Sequence, residues 1–559
     1  MLETETKGSP PPSGFHLENT ANEKPDDQTP TLNAELQREI EAFENRTLDF
    51  RTFMAIIALA FTYEAHLLCF VLPAALLLTI NRDIGPSDQI NWVATSWTLS
   101  GAVAQTIAGS CSDIFGRRNF TIAGNLFGVV GCIIASQATS VNTIIIGMSL
   151  MGFGTAPQLL SLACATEIVP KRNRGETLAF LNLASLPGSA FGSVIAYALA
   201  EHLNWRWAFY LGIIANGLAL VLVIIFYWPP GFIGLHPEGK TRMQQFKELD
   251  FVGLLLFGGG LTSFLLGVSF GGNPYDWISV TVFILFPIWE IYSPDTITKL
   301  CPPYLFKNVR GFTLPLIVIF VTGMLLISLQ VLWPQQVQLL FTTDPESVGW
   351  YSLAYNATGV LGALISGPLF ARIKFTRVQF VAYTALQAVF IAAMASVTQH
   401  TAAKAIVFVA IAAFGVGASQ IVGILFVQFG AKDKQIGVAT GLTGTFRATG
   451  GSIAIAIYTS IINQQSSNNL VPSVSEATVK AGLPPTSVPS LLQALQAMLS
   501  GTGAAPPSVP GLTPAVVVAA EDAVKTVYSN AYQLVYLVSI TFGGEWLRSR
   551  TKEKEKKRS

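Results

Sequence analysis

Charged residues are scarce in this chain of 559 residues. Asp, Glu, Lys and Arg make up 12% of it, which is about half of the roughly 25% that soluble domains carry. The 34 basic and 33 acidic residues leave a net charge of +1, so nothing in the charge balance favours nucleic acid as a partner. Hydrophobic residues reach 51% and the mean hydropathy is +0.49. This composition indicates a protein that crosses the lipid bilayer several times.

Clustered cysteine and histidine are also missing. The five cysteines (Cys69, Cys111, Cys132, Cys164 and Cys301) are far apart, with no CxxC pair or His/Cys cluster. The spacing therefore predicts neither a disulfide framework nor a zinc site. Residues 234–241 match the phosphate-loop pattern, but the run before them is a membrane span rather than a buried strand, so we reject ATP binding there. With no nucleophile–base pair either, the sequence predicts a protein that is not an enzyme and has no metal or cofactor.

Long apolar runs are abundant, and a helix needs about 20 such residues to cross a bilayer. We predict an all-α membrane protein with fourteen spans, in the order six, two and six. Two of the runs, 277–291 and 530–547, are weak. The predicted spans are 53–80, 90–110, 120–138, 143–169, 177–200, 207–227, 251–270, 277–291, 312–333, 348–373, 378–397, 405–430, 436–462 and 530–547.

The basic residues between the spans indicate the orientation. Alternate loops and the C-terminal tail hold 23 lysines and arginines, whereas the opposite loops hold five. Basic residues concentrate on the cytoplasmic side of membrane proteins. We therefore expect both termini to be cytoplasmic.

An internal repeat favours two similar bundles. The pattern of glycines and a glutamine at 152–158 recurs at 415–420, and residues 192–195 resemble residues 451–454. Such repeats are common in secondary transporters. The predicted organisation is a disordered cytoplasmic tail (1–50), an N-terminal six-helix bundle (51–228), a loop with two inserted spans (229–310), a C-terminal six-helix bundle (311–547) and a basic cytoplasmic tail (548–559).

The C-terminal bundle contains one large non-membrane segment, 463–529, which the topology places outside the cell. It is rich in Ser, Pro and Gly, and it contains an amphipathic stretch formed by Leu491, Leu492, Leu495, Met498 and Leu499. The spacing predicts a helix. Either this helix lies on the outer mouth of the bundle or it docks a partner.

Several motifs carry a family resemblance. The loop 109–118, Gly-Ser-Cys-Ser-Asp-Ile-Phe-Gly-Arg-Arg, resembles the signature loop of the major facilitator superfamily. Residues 84–87 and 204–210 are similar to those of fourteen-span drug:proton antiporters, and residues 227–232, 250–253 and 446–451 are similar to the fungal trichothecene efflux pump-like family. The resemblance implies a major facilitator fold, two six-helix bundles plus two inserted helices. It also implies a conformational gate formed by Gly109, Asp113, Gly116, Arg117 and Arg118.

Ionisable residues inside membrane spans are costly and are therefore candidates for function. Glu64 and His66 lie near the middle of the first span but on different helix faces, and Arg447 lies in the thirteenth span. Glu64 is either a proton carrier or a structural carboxylate, and Arg447 forms either an ion pair between the bundles or a substrate contact. His66 is expected to pack or to form hydrogen bonds. The remaining polar candidates either line the central cavity or form hydrogen bonds between helices, and the two explanations fit equally well. They are Gln105, Gln158, Gln330, Asn356 and Gln420.

One departure from the resemblance bears on the coupling ion. The arginine that many drug:proton antiporters carry in the fourth span is Met148 here, which excludes proton coupling through that position.

Together these features predict a secondary transporter that exports small hydrophobic compounds in exchange for protons by alternating access. Its partners are then a small hydrophobic molecule, protons and the bilayer, and we expect a monomer in the plasma membrane, or alternatively in the vacuolar membrane. A proton-coupled siderophore importer shares the same span count. A membrane sensor that does not transport is the alternative from another class.

Overall fold

The structure is a computed structural model. It describes residues 49–87, 89–170, 173–229, 247–270, 276–294, 299–373, 375–430, 436–500 and 509–556. Almost all of the predicted N-terminal tail and most of the loop after residue 229, including the rejected phosphate-loop match, lie outside these residues.

Within the described residues, each predicted apolar run falls largely in one helix or in consecutive helical pieces. Long apolar segments become helical because a helix satisfies its own backbone polar groups away from water. In chain order the helices are α1 (Phe50–Ala75), α2 (Trp92–Phe115), α3 (Arg117–Ser136), α4 (Val141–Leu159), α5 (three pieces, Arg174–Ala184, Leu186–Ser189 and Gly192–His202), α6 (Trp207–Phe226), α7 (Phe251–Phe270), α8 (Asp276–Tyr292), α9 (Leu314–Leu340), α10 (Pro345–Arg372), α11 (Thr376–Met394), α12 (Ala402–Gly430), α13 (Ile436–Lys480) and α14 (Pro514–Lys556). Shorter helices are Leu77–Ile84, Ser161–Glu167, Pro303–Phe306, a π-helical turn Val309–Thr313, a 3-10 turn Pro485–Ser487 and Val488–Ser500.

Eight helical stretches of the described chain are long and apolar enough to cross a membrane, so this is a multi-pass membrane protein. They are Phe50–Ala75, Arg117–Ser136, Val141–Ala165, Trp207–Phe226, Val309–Leu340, Pro345–Phe370, Thr376–Met394 and Ala402–Gly430. For two of the other predicted spans, the structure shows why they are not among the helices that are long and apolar enough. Helix α5 is divided into pieces, and α8 has 17 residues, about 25 Å of helix against a hydrocarbon core of about 30 Å.

The helices pack in two sets with the same pairing. In the first set, α1 to α6, called the N-half here, α1 packs on α6, α2 on α4 and α3 on α4. In the second set, α9 to α14, called the C-half, α9 packs on α14, α10 on α12 and α11 on α12. The two halves meet where α2 packs on α13 and α5 on α10. These two contacts are equivalent to each other if α1 to α6 correspond to α9 to α14.

The inserted helices form a hairpin that lies against the junction of the halves. Helices α7 and α8 pack on each other, and α7 also contacts α2 and α13. Trp289 joins the two helices because its Nε1–H lies 2.9 and 3.0 Å from the carboxylate oxygens of Asp250. Glu290 holds the following linker, since its Oε1 accepts hydrogen bonds from the backbone N–H groups of Leu300 and Cys301.

More of segment 463–529 is helical than its composition suggests. Helix α13 continues to Lys480, and α14 begins at Pro514, well before the predicted last span. With Val488–Ser500 they enclose a small apolar core of Val474, Leu483, Leu491, Val516, Ala520 and Ala523. Apolar residues at helical spacing, buried against one another, stabilise these polar-rich helices. The predicted amphipathic helix packs on this extension and also touches the helix Leu77–Ile84.

Candidate functional site

The Glu64 carboxyl group lies inside the molecule, at the break in α5. Glu64 is 7% exposed, and the carboxylate faces Gly188, where an added Cβ would lie 2.9 Å from Oε1. Helix α5 is interrupted around Ser185 and around Ala190 and Phe191. No side chain of the described residues donates a hydrogen bond to either carboxylate oxygen. Among the described residues, the site therefore holds a buried acidic group with no compensating cation.

His66 faces a different neighbour, as its spacing from Glu64 predicts. Its ring lies between those of Tyr63 and Trp97, with centroids 5.8 Å from each. Trp97 in turn stacks on Phe70 at 4.2 Å. His66 Nδ1 and Trp97 Nε1 are buried without a hydrogen-bond partner among the described residues. The α1–α2 contact thus consists of aromatic rings with two unused polar nitrogen atoms.

Arg447 approaches this aromatic group from the C-half. It lies on α13, and its charge acts on Tyr63 and His66. Arg447 pairs with no carboxylate of the described residues. In the described part of the chain, neither Glu64 on α1 nor Arg447 on α13 is therefore paired with an opposite charge.

Gln158 belongs to a hydrogen-bonded network inside the N-half. Its Nε2 donates to Asn216 Oδ1 at 2.6 Å and to Asn125 Oδ1 at 3.3 Å. Asn125 Nδ2 then donates to Thr62 Oγ1 at 3.2 Å. These four residues, called the N-half network, join α1, α3, α4 and α6. Asn125 and Asn216 are not among the residues predicted from the sequence, although an asparagine within an apolar run is a signal of bonding between helices.

Two of the other predicted polar residues, Gln105 and Asn356, lie at the contact between the halves. Gln105 is buried against Gly444 of α13, and its Oε1 has no partner among the described residues. Asn356 donates through Nδ2 to Ser193 Oγ at 2.8 Å, from the C-half to the N-half. Gln330 and Gln420 are half-buried.

Two further hydrogen bonds join the halves toward the same end. Gln335 Nε2 donates to Asn91 Oδ1 at 3.0 Å, and Ser452 Oγ donates to Thr98 Oγ1 at 2.7 Å. Asn91 directly precedes α2, Thr98 lies near the start of that helix, and Gln335 lies near the end of α9. The halves are therefore held together at the end of the molecule that carries the loops 84–91 and 341–344.

The predicted gate lies at the opposite end. Gly116 separates α2 from α3 with φ 85°, a conformation that favours glycine. Arg118 donates to the carbonyl of Ile224 at 2.7 Å, and its guanidinium lies 3.6 Å above the ring of Trp228. Arg117 begins α3 and is half-buried. Arg118 thus caps α6 of its own half. Gly109 and Asp113 belong to α2, and the Asp113 side chain is outside the described part of the structure.

The architecture is that of the major facilitator superfamily. A peptide transporter of the POT family, PepTSo, superposes with a TM-score of 0.55 at 13% identity, covering 88% of this chain and 98% of that one. A bacterial homolog of the human lysosomal transporter Spinster gives a TM-score of 0.52 at 14% identity, covering 91% and 99%. Identities this low show the fold alone.

Sequence comparison gives the family. Residues 24–546 match the model of the fungal trichothecene efflux pump (TRI12) family, and the chain therefore belongs to that family. The trichothecene efflux pump TRI12 of Trichoderma arundinaceum is 30% identical, covering 88% of this chain and 84% of that protein. The pump of the same name from Fusarium sporotrichioides is 29% identical, covering 88% and 82%. These relatives are transporters, which assigns the chain to the membrane efflux transporters and confirms the family predicted from the motifs.

Proposed function

We propose that this protein is a secondary active transporter that exports small hydrophobic compounds in exchange for protons. The observation that carries the proposal is Glu64, a buried acid on α1 to which the described residues offer no cationic partner. A carboxyl group in apolar surroundings favours its neutral form, whereas access to water favours the charged form. Glu64 can therefore take up a proton in one conformation of the protein and release it in another.

The substrate region proposed here is the aromatic group of Tyr63, His66, Phe70 and Trp97, together with Arg447. Flat aromatic walls with a few polar groups suit hydrophobic ligands that carry some oxygen or nitrogen atoms. His66 Nδ1, Trp97 Nε1 and Arg447, which have no bonding or charged partner among the residues that the structure describes, offer hydrogen bonds to such a ligand. The relatives named as trichothecene efflux pumps make a trichothecene the first compound to test.

Alternating access requires the two halves to open at one end at a time. In this proposal the chain is a monomer of the plasma membrane with fourteen spans and cytoplasmic termini, so the end joined by Asn356 and Ser193 faces outward. The structure then corresponds to a state closed toward the outside. The loop 109–118 is the gate at the cytoplasmic end, which latches when the protein opens outward.

Transport by the purified protein in lipid vesicles tests the coupling. We expect a pH gradient to drive uptake of a labelled trichothecene in vesicles that hold the wild type. Glu64→Gln should lose at least about tenfold of this gradient-driven transport while retaining exchange of substrate in the absence of a gradient, and Glu64→Asp should retain part of it. The control is Glu201→Gln at the exposed end of α5, which should behave like the wild type.

Three outcomes would count against this proposal. Normal gradient-driven transport by Glu64→Gln would make Glu64 a structural residue. Uptake of a ferric siderophore without transport of toxins would favour the importer, and absence of any transport would favour a sensor. The topology is tested separately with tags at residue 20, within 463–529 and at the C-terminus, which should lie inside, outside and inside, respectively.

A further inference from the structure

Three sulfur atoms meet in the interior of the N-half. Cys69 on α1 and Cys132 on α3 place their Sγ atoms 3.6 Å apart, and Met151 Sδ on α4 lies 3.2 Å from Cys132 Sγ. All three residues are at most 4% exposed. The two cysteines are 63 positions apart in the sequence, so only the fold brings them together.

The N-half network determines which polar group faces this cluster. Gln158 donates to Asn216 Oδ1 at 2.6 Å, so the other end of the Asn216 amide, Nδ2, points to Cys69 and lies 3.1 Å from its Sγ. A hydrogen bond to sulfur favours the deprotonated thiol. Outer partners of this kind orient metal-binding side chains and tune their affinity.

A glycine on α6 leaves space for the sulfur of Cys132. At Gly212 of α6 an added Cβ would lie 2.7 Å from Cys132 Sγ. A larger residue at position 212 would therefore displace the sulfur. The cluster is enclosed by helices α1, α3, α4 and α6, separate from the site between the halves.

We propose that Cys69, Cys132 and Met151 bind one soft monovalent cation of the copper(I) or silver(I) class. Thiolate and thioether sulfur are the ligands that copper(I) prefers. With metal–sulfur bonds of about 2.3 Å, three ligands around one ion lie roughly 4 Å apart. The two thiols then separate by only a few tenths of an ångström, and the flexible methionine side chain accommodates the larger shift.

Charge balance favours a monovalent ion at this depth. The cation replaces the proton on Cys69 Sγ, so one S–H bond breaks and one proton leaves. A metal–thiolate bond forms to Cys69, the neutral Cys132 thiol and the Met151 thioether each add a dative bond, and the net charge of the cluster is unchanged. An added net charge would be costly in the apolar interior. A disulfide fits less well, because the sulfur atoms would have to approach from 3.6 Å to about 2.05 Å and an oxidant would be required.

The C-half supports the view that this cluster is not part of the shared scaffold. The corresponding positions, about 260 residues later, are Leu329, Met394 and Ala412. Packing of the same helix pairs therefore does not require the two thiols. Their presence in one half alone calls for a separate explanation, which a metal site provides.

Metal binding by the purified full-length protein tests the proposal without measuring transport. Copper(I) is titrated anaerobically against a coloured competing chelator, and silver(I) by calorimetry. We expect one high-affinity equivalent and an ultraviolet thiolate-to-copper absorption. Cys69→Ser and Cys132→Ser should each weaken binding at least about tenfold, and Met151→Leu should weaken it less.

Matched variants distinguish this site from general thiol binding. Cys164→Ser removes another buried thiol, and Met148→Leu removes another buried thioether of α4; both should bind like the wild type. Equal binding by wild type, Cys69→Ser and Cys132→Ser in monodisperse samples would overturn the proposal, as would a loss of binding in Cys164→Ser. So would a Cys69–Cys132 disulfide in the purified protein, detected as linked fragments on a non-reducing gel after cleavage at a protease site inserted in the loop 85–91.

Discussion

The two halves of the molecule solve the same packing problem with different polar residues. In the N-half, the Gln158 amide forms one network with the amides of Asn125 and Asn216 and the hydroxyl of Thr62. In the C-half, Gln387 does so with two hydroxyls, since Ser419 donates to its Oε1 at 3.0 Å and its Nε2 donates to Thr322 at 3.4 Å. Thr322 follows Thr62, and Gln387 follows Asn125, by about 260 residues. The repeated network is therefore part of the scaffold that both halves share.

The halves differ where the proposed chemistry lies. Glu64 of α1 corresponds to Met324 of α9, and Arg447 of α13 corresponds to Gly188 of α5. Both places are close approaches of two helices, because Gly188 faces the Glu64 carboxylate and Gly323 faces the Arg447 backbone. The fold thus provides two equivalent crossings. The crossing of α1 with α5 contains an acidic side chain, Glu64, on α1. The crossing of α9 with α13 has no acid at the corresponding position of α9 and has an arginine, Arg447, on α13 instead.

The glycines at these crossings should respond differently to an added methyl group, and this is the largest effect we expect. At Gly323 a Cβ would lie 2.7 Å from Arg447 Cα and 2.8 Å from its carbonyl carbon. Backbone atoms cannot move aside locally, so Gly323→Ala should destabilise the protein by about 3 kcal/mol. At Gly188 the Cβ would meet the end of a flexible side chain, so Gly188→Ala should cost about 1 kcal/mol and mainly impair transport.

Thermal unfolding in detergent and the yield of monodisperse protein measure this difference. Gly217→Ala on α6 is the control, because nothing lies within 4 Å of a Cβ at that position. If Gly323→Ala were as stable as Gly217→Ala, the close α9–α13 crossing would be wrong. If Gly188→Ala were less stable than Gly323→Ala, the expected difference between the two crossings would be wrong.

The two networks should also differ in how much they stabilise their halves. Gln158→Leu leaves the oxygens of Asn125 and Asn216 buried without their donor, which costs about 2 kcal/mol. Gln387→Leu leaves hydroxyl groups, and the single hydroxyl proton of Ser419 can then be donated to the carbonyl of Val416, 3.0 Å from its Oγ. Its cost should be nearer to 1 kcal/mol.

Denaturation of the two single variants and of the double variant tests this ranking. The networks lie in separate halves, so the double variant should lose the sum of the single costs. A larger cost for Gln387→Leu would show that the hydroxyls cannot find other partners. A strongly non-additive double variant would show that the halves unfold through a shared contact rather than through these networks.

The helices and the family could be predicted from the sequence because both depend on local patterns. A chain in lipid can satisfy its backbone polar groups in apolar runs such as 312–333 only by forming a helix, and the loop 109–118 carries its resemblance in ten consecutive residues. The fourteen spans, the orientation and the roles of Glu64 and Arg447 stay predictions. Segment 463–529 was harder, because the apolar residues that make it helical bury one another only after α13 and α14 come together.

Contacts between distant helices could not be predicted. Nothing in the sequence pairs Cys69 with Cys132 or places Trp97 beside His66, because such contacts depend on helix rotation. The repeat shows the same limit. Sequence similarity aligned Gly152 with Gly415, but the structure gives these two glycines different neighbours: Gly152 meets α2, whereas Gly154 meets α3 and Gly415 meets α11. Because α3 and α11 correspond, Gly154 rather than Gly152 occupies the position equivalent to Gly415. The sequence alignment of the two halves is therefore wrong by two residues at this point.

The smallest expected effect concerns the hydrogen bonds that join the halves. Asn356→Ala removes the bond to Ser193 Oγ at 2.8 Å, which is worth about 1 kcal/mol and corresponds to roughly a fivefold change in the ratio of closed to open molecules at that end. Ser193→Ala should have the same effect, and the double variant should cost no more than either single change, since both remove one bond. Thr98→Val should have a weaker effect, because the Ser452 hydroxyl can then donate to the carbonyl of Ala448, 3.0 Å from its Oγ. Spin labels on Asn204 and Thr343, one in a loop of each half, report this ratio as a distribution of distances. Full additivity of Asn356→Ala and Ser193→Ala would mean that the two residues act separately and that another contact holds the halves closed.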